Sequence, residues 1–198
     1  MGKEEESKKL FREVARFYDW HPFTPWLRHL QRKTIERVKG EKIKVLDIGF
    51  GTGYALQQLR KRFPKSELHG IDFSPEMLKI AKKRLGNSAK LRKGFAQNLP
   101  YKDNSFDYVI CTEAFHHFEQ QEKSLREMKR VCRKDGHVIV ADPEFFFSFM
   151  HRLMERIEPG NAGMHNSSEM RKLFEKVGLK VTYQKRIGLI AVVSEGKK

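Results

Sequence analysis

Apolar positions change their period along the chain, and each change marks a different kind of element. In the first forty residues they recur at helical spacing, as Leu10, Val14 and Phe17 and then Leu27, Leu30, Ile35 and Val38. This predicts helices over 4–18 and 26–39, with Pro22 and Pro25 marking the break between them. After Gly40 short apolar runs rich in β-branched residues take over, each leading into a helical stretch. IKVLDI (43–48) precedes a helix over 54–63, and ELHGID (67–72) precedes one from Pro75 to Leu85. A weaker strand covers 89–93. FDYVICT (106–112) precedes a helix over 119–134, and HVIVAD (137–142) an apolar helix over about 145–157. Such runs read as buried parallel strands feeding helices, so the predicted fold class is α/β, a doubly wound, mostly parallel sheet with right-handed crossovers. The tail differs: a helix over 167–177, then LKVTYQKR (179–186) and LIAVVS (189–194) joined at Ile187-Gly188, which predicts an antiparallel hairpin at the sheet edge.

No repeat, low-complexity tract or Pro/Gly/Ser linker interrupts this order, so residues 1–198 read as a single domain with a helical extension over 1–40. The length suits one self-standing core. Mean hydropathy is −0.65 and no apolar run approaches the roughly 20 residues of a membrane span, so stable membrane insertion is not expected. The opening MGKEEESKK has no apolar signal region, which predicts a cytoplasmic protein. Cys111 and Cys132 lack the spacing of a zinc site or a disulfide framework and read as ordinary thiols, and no metal is expected.

Forty Lys and Arg against twenty-five Asp and Glu leave a net charge of +15. The surface should therefore favour anions: RNA, an anionic surface or an acidic small molecule. The excess is concentrated at Lys79, Lys82, Lys83, Arg84, Lys90, Arg92 and Lys93, with no acid between them. That patch is either a solvated helix face or a phosphate-contacting surface.

The first strand turns into its helix through VLDIGFGTG, which sets Gly49, Gly51 and Gly53 where a ligand can lie against bare backbone. Asp72 closes the second strand, where a carboxylate can accept hydrogen bonds from both hydroxyls of a ribose. Strand, glycine loop, helix, strand and acid together make a nucleoside site. The GxGxG spacing departs from the GxGxxG of dinucleotide sites and disfavours a nicotinamide cofactor.

Here the sequence resembles the class I S-adenosylmethionine-dependent methyltransferases, and among them the ubiquinone/menaquinone-biosynthesis branch. The resemblance is carried by VLDIGFGTG, by GIDFS (70–74), by NLPYKDNSFDYVICTEAFHHF (98–118), by LREMKRVCRKDGHVIVADP (125–143) and by FREVARFYDW (11–20). It implies a Rossmann-like core over 41–198 that binds S-adenosylmethionine under an N-terminal helical lid over 1–40. It also implies that Asp47 and the Gly49–Gly53 backbone hold the methionine moiety, Asp72 the ribose and Phe73 the adenine. Tyr18 would close over the methionine end and Thr112 would border the transferable methyl. Where the family often has an acidic residue before an alanine at the adenine, this chain reads Phe95-Ala96-Gln97. Phe95 cannot accept a hydrogen bond, so the Ala96 N–H and Gln97 (or Asn98) are left for that contact. Arg133-Lys134-Asp135-Gly136 replaces the family's proline and glycines and reads as a turn variant.

An acceptor that arrives protonated needs a base. Glu113, His116 and His117, just beyond the fourth strand, are the candidates, the alternative being that His-His-Phe is a packing feature; His165 is a weaker one. The Asn/Asp-Pro-Pro-aromatic signature of nucleic-acid amino methylation is missing, since the place reads Cys111-Thr112-Glu113-Ala114. In the helix after the fifth strand, Phe146, Phe149, Met150, Leu153 and Ile157 fit one face and read as core. Phe145, Phe147 and Met154 lie off that face, where they could line an apolar acceptor cavity or touch a membrane surface. The expected function is methyl transfer to a small, hydrophobic or anionic molecule. The alternative is an RNA-binding or RNA-modifying protein on the same fold.

Overall fold

Strand order decides where a ligand can enter, and in the computed structural model it is β3-β2-β1-β4-β5-β7-β6. The structure describes residues 3–15, 17–20, 22, 24–145 and 148–198, and of Glu4, Lys8, Val14 and Ser148 the backbone only. The elements are α1 (Lys3–Val14), α2 (Thr24–Arg37), β1 (Lys44–Ile48), α3 (Tyr54–Arg62), β2 (Glu67–Asp72), α4 (Pro75–Leu85), β3 (Lys90–Lys93) and β4 (Phe106–Thr112). α5 (Gln121–Val131), β5 (Cys132–Pro143), α6 (Ser148–Ile157), α7 (Ser167–Lys176), β6 (Lys180–Ile187) and β7 (Ala191–Lys197) follow. The first five strands are parallel, and β7 runs antiparallel between β5 and β6. The doubly wound sheet with its C-terminal hairpin is thus as the pattern predicts. The hairpin does not merely append: β7 inserts beside β5 and leaves β6 at the edge.

Alternation along the strands sorts two cores. Tyr108 and Ile110 of β4 join Ile139 and Ala141 of β5 against Leu30 and Val38 of the α2 region and Leu56 and Leu59 of α3. Val109, Cys111, Val138 and Val140 face the other way, against Leu125 and Met128 of α5 and Phe174 of α7. Cys111 and Cys132 are free, buried thiols, and burial raises the pKa of both.

Local signals set the helix starts. Ser74 caps α4 by accepting from the Met77 N–H, with Pro75 in the first turn. Asn166 and Glu169 form a capping box on α7. Pro25 lies inside the first turn of α2 rather than in the break, since a first-turn N–H has no helical partner to lose. The predicted helix 4–18 ends at Val14, and Tyr18–Trp20 form a separate 3-10 turn.

Two expectations are overturned. The helix predicted over 119–134 stops at Val131, and Cys132 already pairs with Phe106. Residues 133–136 are a polar excursion within β5 rather than a plain turn, because Asp135 takes φ +64°, which a helix cannot contain. The core face assigned to α6 is also wrong for Phe149, Leu153 and Ile157, which are 56%, 42% and 59% exposed. A ten-residue helix with apolar side chains on more than one side cannot bury them all, and here Met154 and Ile157 turn to a cavity. Phe146, Phe147 and the Val14 side chain lie outside the described residues. Among the described residues no helix is long and apolar enough to cross a membrane.

Candidate functional site

The sheet reverses its order between β1 and β4, and the carboxyl ends of strands flanking such a point form a crevice. Four strand ends deliver polar residues there: Gly49 after β1, Asp72 at the end of β2, Thr112 and Glu113 at the end of β4, and Asp142 near the end of β5. A narrow cleft of about 50 Å³ runs between the glycine loop and the β4 end, lined by Gly49, Gly51, Asp72, Phe73, Thr112 and Glu113 among others. Beside it opens a second cavity of about 750 Å³.

The glycine loop is shaped by two different constraints. Gly49, at φ +73°, donates to Ile71 O at 2.8 Å, and a Cβ there would stand 2.4 Å from Ala114 Cβ. Gly51, at φ +53°, faces open space, and its N–H donates to Asp72 Oδ2 at 2.8 Å. Gly53 instead packs against Ala81 and Leu85 of α4 and does not border the cleft. Asp72 Oδ1 accepts from the Ser74 N–H at 2.9 Å, so each carboxylate oxygen is oriented and each keeps capacity for another donor. Burial pushes the Asp72 pKa up to about 6. Asp47 lies beneath the cleft rather than on its wall; its Oδ2 has no partner, and burial together with the Asp72 charge pushes its pKa up to about 8.

The aromatic groups come from three segments. The Phe73 and Phe95 rings are nearly parallel, 10° apart with centroids separated by 6.4 Å. Ala96 is buried in the core and Gln97 half-buried, and neither borders the cleft. Phe11 of α1 meets Phe73 edge-on at 5.8 Å and His117 at 5.2 Å, which narrows the cleft. Tyr18 lines both the cleft and the large cavity. The 3-10 turn that carries it is tied to the loop: Thr52 Oγ1 donates to Asp19 Oδ1 at 3.0 Å, and Arg84 bonds Thr52 O, Thr52 Oγ1 and Asp19. Arg84 is therefore engaged inside the molecule and does not belong to the basic patch. Lys79, Lys82, Lys83, Lys90, Arg92 and Lys93 are exposed.

Glu113, His116 and His117 do converge. Glu113 takes φ +57°, a strained conformation for a side-chain-bearing residue, and borders both cavities. Its Oε1 is buried without a partner, and burial pushes its pKa up to about 8. His116 Nδ1–H donates to Asp142 Oδ1 at 2.9 Å, and its Nε2 lies 3.6 Å from Glu158 Oε1. Burial opposes a charge on His116, but Asp142 and Glu158 outweigh it and hold the pKa well above the usual range. His117 Nδ1–H donates to Gly160 O at 3.1 Å, and burial and the His116 charge drive its pKa down to about 3. His165 is apart from them, bonded to Gln121 Oε1 at 2.7 Å.

Residues 46–140 match the family described as Methyltransferase domain. The chain is 30% identical over 167 residues to the demethylmenaquinone methyltransferase of Thermus thermophilus, covering 78% of this chain and 76% of that one. The chain belongs to the class I S-adenosylmethionine-dependent methyltransferases, in their quinone-biosynthesis branch. It is 33% identical to the demethylmenaquinone methyltransferase of Thermotoga maritima over 141 residues, 68% of this chain and 60% of the relative, and so spans less than two thirds of it. In fold it is similar to a methyltransferase of Haloferax volcanii solved in complex with the Trm112 methyltransferase activator, with a TM-score of 0.86, 22% identity and 96% of each chain covered.

The methyl donor of this methyltransferase family is S-adenosylmethionine, and the groups at the cleft suit it. Bare backbone at Gly51 leaves space, Asp72 offers two oriented oxygens to hydroxyls, and the unpartnered Asp47 oxygen suits a cationic ligand. Sequence reasoning missed Phe11, Asp142 and Glu158. Asp142 was discoverable, as an acid near the carboxyl end of a parallel strand. Glu158, 42 residues from His116, carried no signal.

Proposed function

We propose that this methyltransferase transfers the methyl group of S-adenosylmethionine to a largely apolar small molecule that presents one polar atom to the histidines. The 750 Å³ cavity carries this reading: Leu10, Phe17, Trp26, Leu27, Phe145, Met154 and Ile190 form much of its wall, while Glu113, His116, His117 and Glu158 supply most of its polar groups. The relatives named for demethylmenaquinone make a quinone-like acceptor the favoured class. The exposed Phe17, Ile157 and Leu189 support delivery of a hydrophobic acceptor, since the first two lie at the cavity rim.

When bound, the cofactor supplies an already activated sulfonium methyl, so the protein's task is positioning. Asp72 would accept the ribose hydroxyls, Phe73 and Phe95 would flank the adenine, and the Gly49 and Gly51 backbone would face the methionine end, with Asp47 beneath it. Ala96 and Gln97 would serve the adenine edge only after a shift toward the cleft. Glu113 borders both cavities and Thr112 the cleft, and the two would flank the methyl to be transferred. The N-terminal side chains at the two chambers, Leu10, Phe11, Phe17 and Tyr18, would act as a lid that excludes water, while the buried side of α2 belongs to the core.

Proton linkage gives a direct check. Asp72 and Asp47 both sit above the ordinary value of 3.8, so each destabilises the ligand-free fold as pH rises from about 4 toward its own pKa. Hydroxyl donors and a cationic ligand favour the charged carboxylates. Affinity for S-adenosylhomocysteine should therefore begin to fall as pH drops below about 8, where Asp47 takes its proton, and steepen by up to about a further tenfold per unit below about 6, where Asp72 follows, with proton release on binding. Calorimetry in buffers of different ionisation enthalpy measures both.

The acceptor is tested by incubating the protein with methyl-labelled S-adenosylmethionine and short-chain prenylated quinols, with total RNA as the competing substrate. Label in the quinol supports the reading. Label in RNA alone overturns it and favours the second reading, an RNA acceptor on the exposed lysines of α4, whose affinity would fall steeply with salt. Met154→Trp narrows the large cavity without touching the cleft. It should raise KM for an apolar acceptor about tenfold or more while leaving cofactor affinity within about twofold.

A further inference from the structure

We propose that His116 Nε2, His117 Nε2 and Glu158 Oε1 form a binding site for a divalent first-row transition metal ion, open toward the large cavity. The three ligand atoms lie within 4.8 Å of one another. Two atoms on one such ion stand roughly 3 to 3.4 Å apart, so the 3.6 and 4.0 Å separations from Glu158 to the two imidazoles need only modest contraction. Glu158 is half-buried at the first position after α6, where its side chain can make that adjustment.

The surroundings of the two imidazoles point to a metal as much as the ligand atoms do. A histidine that binds a metal through one ring nitrogen generally donates the other N–H to a carboxylate or a backbone carbonyl. Both histidines do so here, His116 to Asp142 and His117 to Gly160 O. Each Nε2 is thereby left as the atom directed at Glu158. Asp142 is 1% exposed, and its Oδ2 has no hydrogen-bond partner. A bound dication would take the place of the proton that His116 otherwise holds between the Asp142 and Glu158 carboxylates, and would balance their two negative charges beside a largely apolar cavity.

Two nitrogens and one oxygen favour zinc, iron, cobalt or nickel over magnesium or calcium, which prefer all-oxygen sites. Three protein ligands leave coordination positions free. His116, His117 and Glu158 all line the large cavity, so those positions face a bound acceptor, whose oxygen or nitrogen donor would complete the shell. The site would thus orient the polar end of an otherwise apolar molecule, a role that rests on the acceptor reading above; metal binding itself does not.

Titration of chelator-stripped, tag-free protein with Co²⁺, followed by visible absorption, tests the site without turnover or cofactor. One equivalent should give ligand-field bands, displaced by Zn²⁺. His117→Ala and Glu158→Gln should each weaken binding by more than tenfold, and Asp142→Asn by about 10 to 100-fold as an outer-shell partner. Circular dichroism reports whether each variant is folded, and Glu158→Gln, at a half-buried position, guards against loss of fold in the histidine variant. No saturable binding by the wild-type protein, or binding unaltered in folded Glu158→Gln, overturns the proposal and leaves the cluster a buried ion pair around a protonated His116.

Discussion

Asp72→Ala should abolish measurable binding of S-adenosylhomocysteine while leaving the sheet intact. The carboxylate stands at the end of β2 with one oxygen on the Gly51 N–H and the other on the Ser74 N–H. Two ribose hydroxyls donating to it would each contribute about 1.5–3 kcal/mol, as hydrogen bonds to a charged group do. Their joint loss corresponds to roughly 10² to 10⁴ in Kd. Alanine also releases the Gly51 and Ser74 amides, so the glycine loop loses the contact that aims it. Asp72→Asn keeps the shape and one acceptor oxygen and should fall between the two. Calorimetric titration of the three proteins under one set of conditions checks the order, and unchanged affinity in Asp72→Ala would remove Asp72 from the cofactor site.

Gly49→Ala and Gly51→Ala should fail in opposite ways. At Gly49 the new methyl meets Ala114 Cβ at 2.4 Å, and the backbone cannot retreat without losing its bond to Ile71 O. Overpacking costs about 1–3 kcal/mol and the left-handed conformation about 1–2 more. For a chain of this size that lowers Tm by roughly 5–15 °C. At Gly51 the methyl meets nothing within 4 Å, so only the conformational cost remains and Tm should fall by a few degrees at most. The methyl nevertheless enters the space beside Asp72, and cofactor affinity should drop by about tenfold or more. Thermal melts with and without S-adenosylhomocysteine separate the two, since only Gly49→Ala should melt early without ligand.

The strands, their order of appearance and the glycine loop were legible because buried parallel strands are written as apolar runs that end in glycine or acid. Leu46, Val109 and Val140 belong to such runs, and each is buried. The start of β5 was not legible, because Arg133 to Gly136 carry no strand pattern and are held by partners distant in sequence, Asp107 for Arg133 and Lys198 for Asp135 and Gly136. The aromatic helix misled for a different reason. Periodicity shows that Phe149, Leu153 and Ile157 share a side, but it cannot tell a side packed on a sheet from one at the lip of a cavity. At the site, adjacent residues such as His116 and His117 were visible as a pair. Their partners, Asp142 and Glu158, come from other elements, and only folding brings them within reach.

Phe11, Tyr18, Glu113 and His117 border both chambers. The cleft behind the glycine loop is the narrower and more enclosed of the two, and the Asp19, Thr52 and Arg84 contacts pin one side of the shared wall to that loop. A molecule seated in the larger chamber is therefore expected to restrict entry to the cleft across these four side chains. The expected order is then a queue, with the methyl donor entering first, the acceptor second, and the methylated product leaving before the spent donor. S-adenosylhomocysteine should then compete with S-adenosylmethionine for the same empty protein, and loosening the Asp19, Thr52 and Arg84 ties should speed the exchange of one for the other.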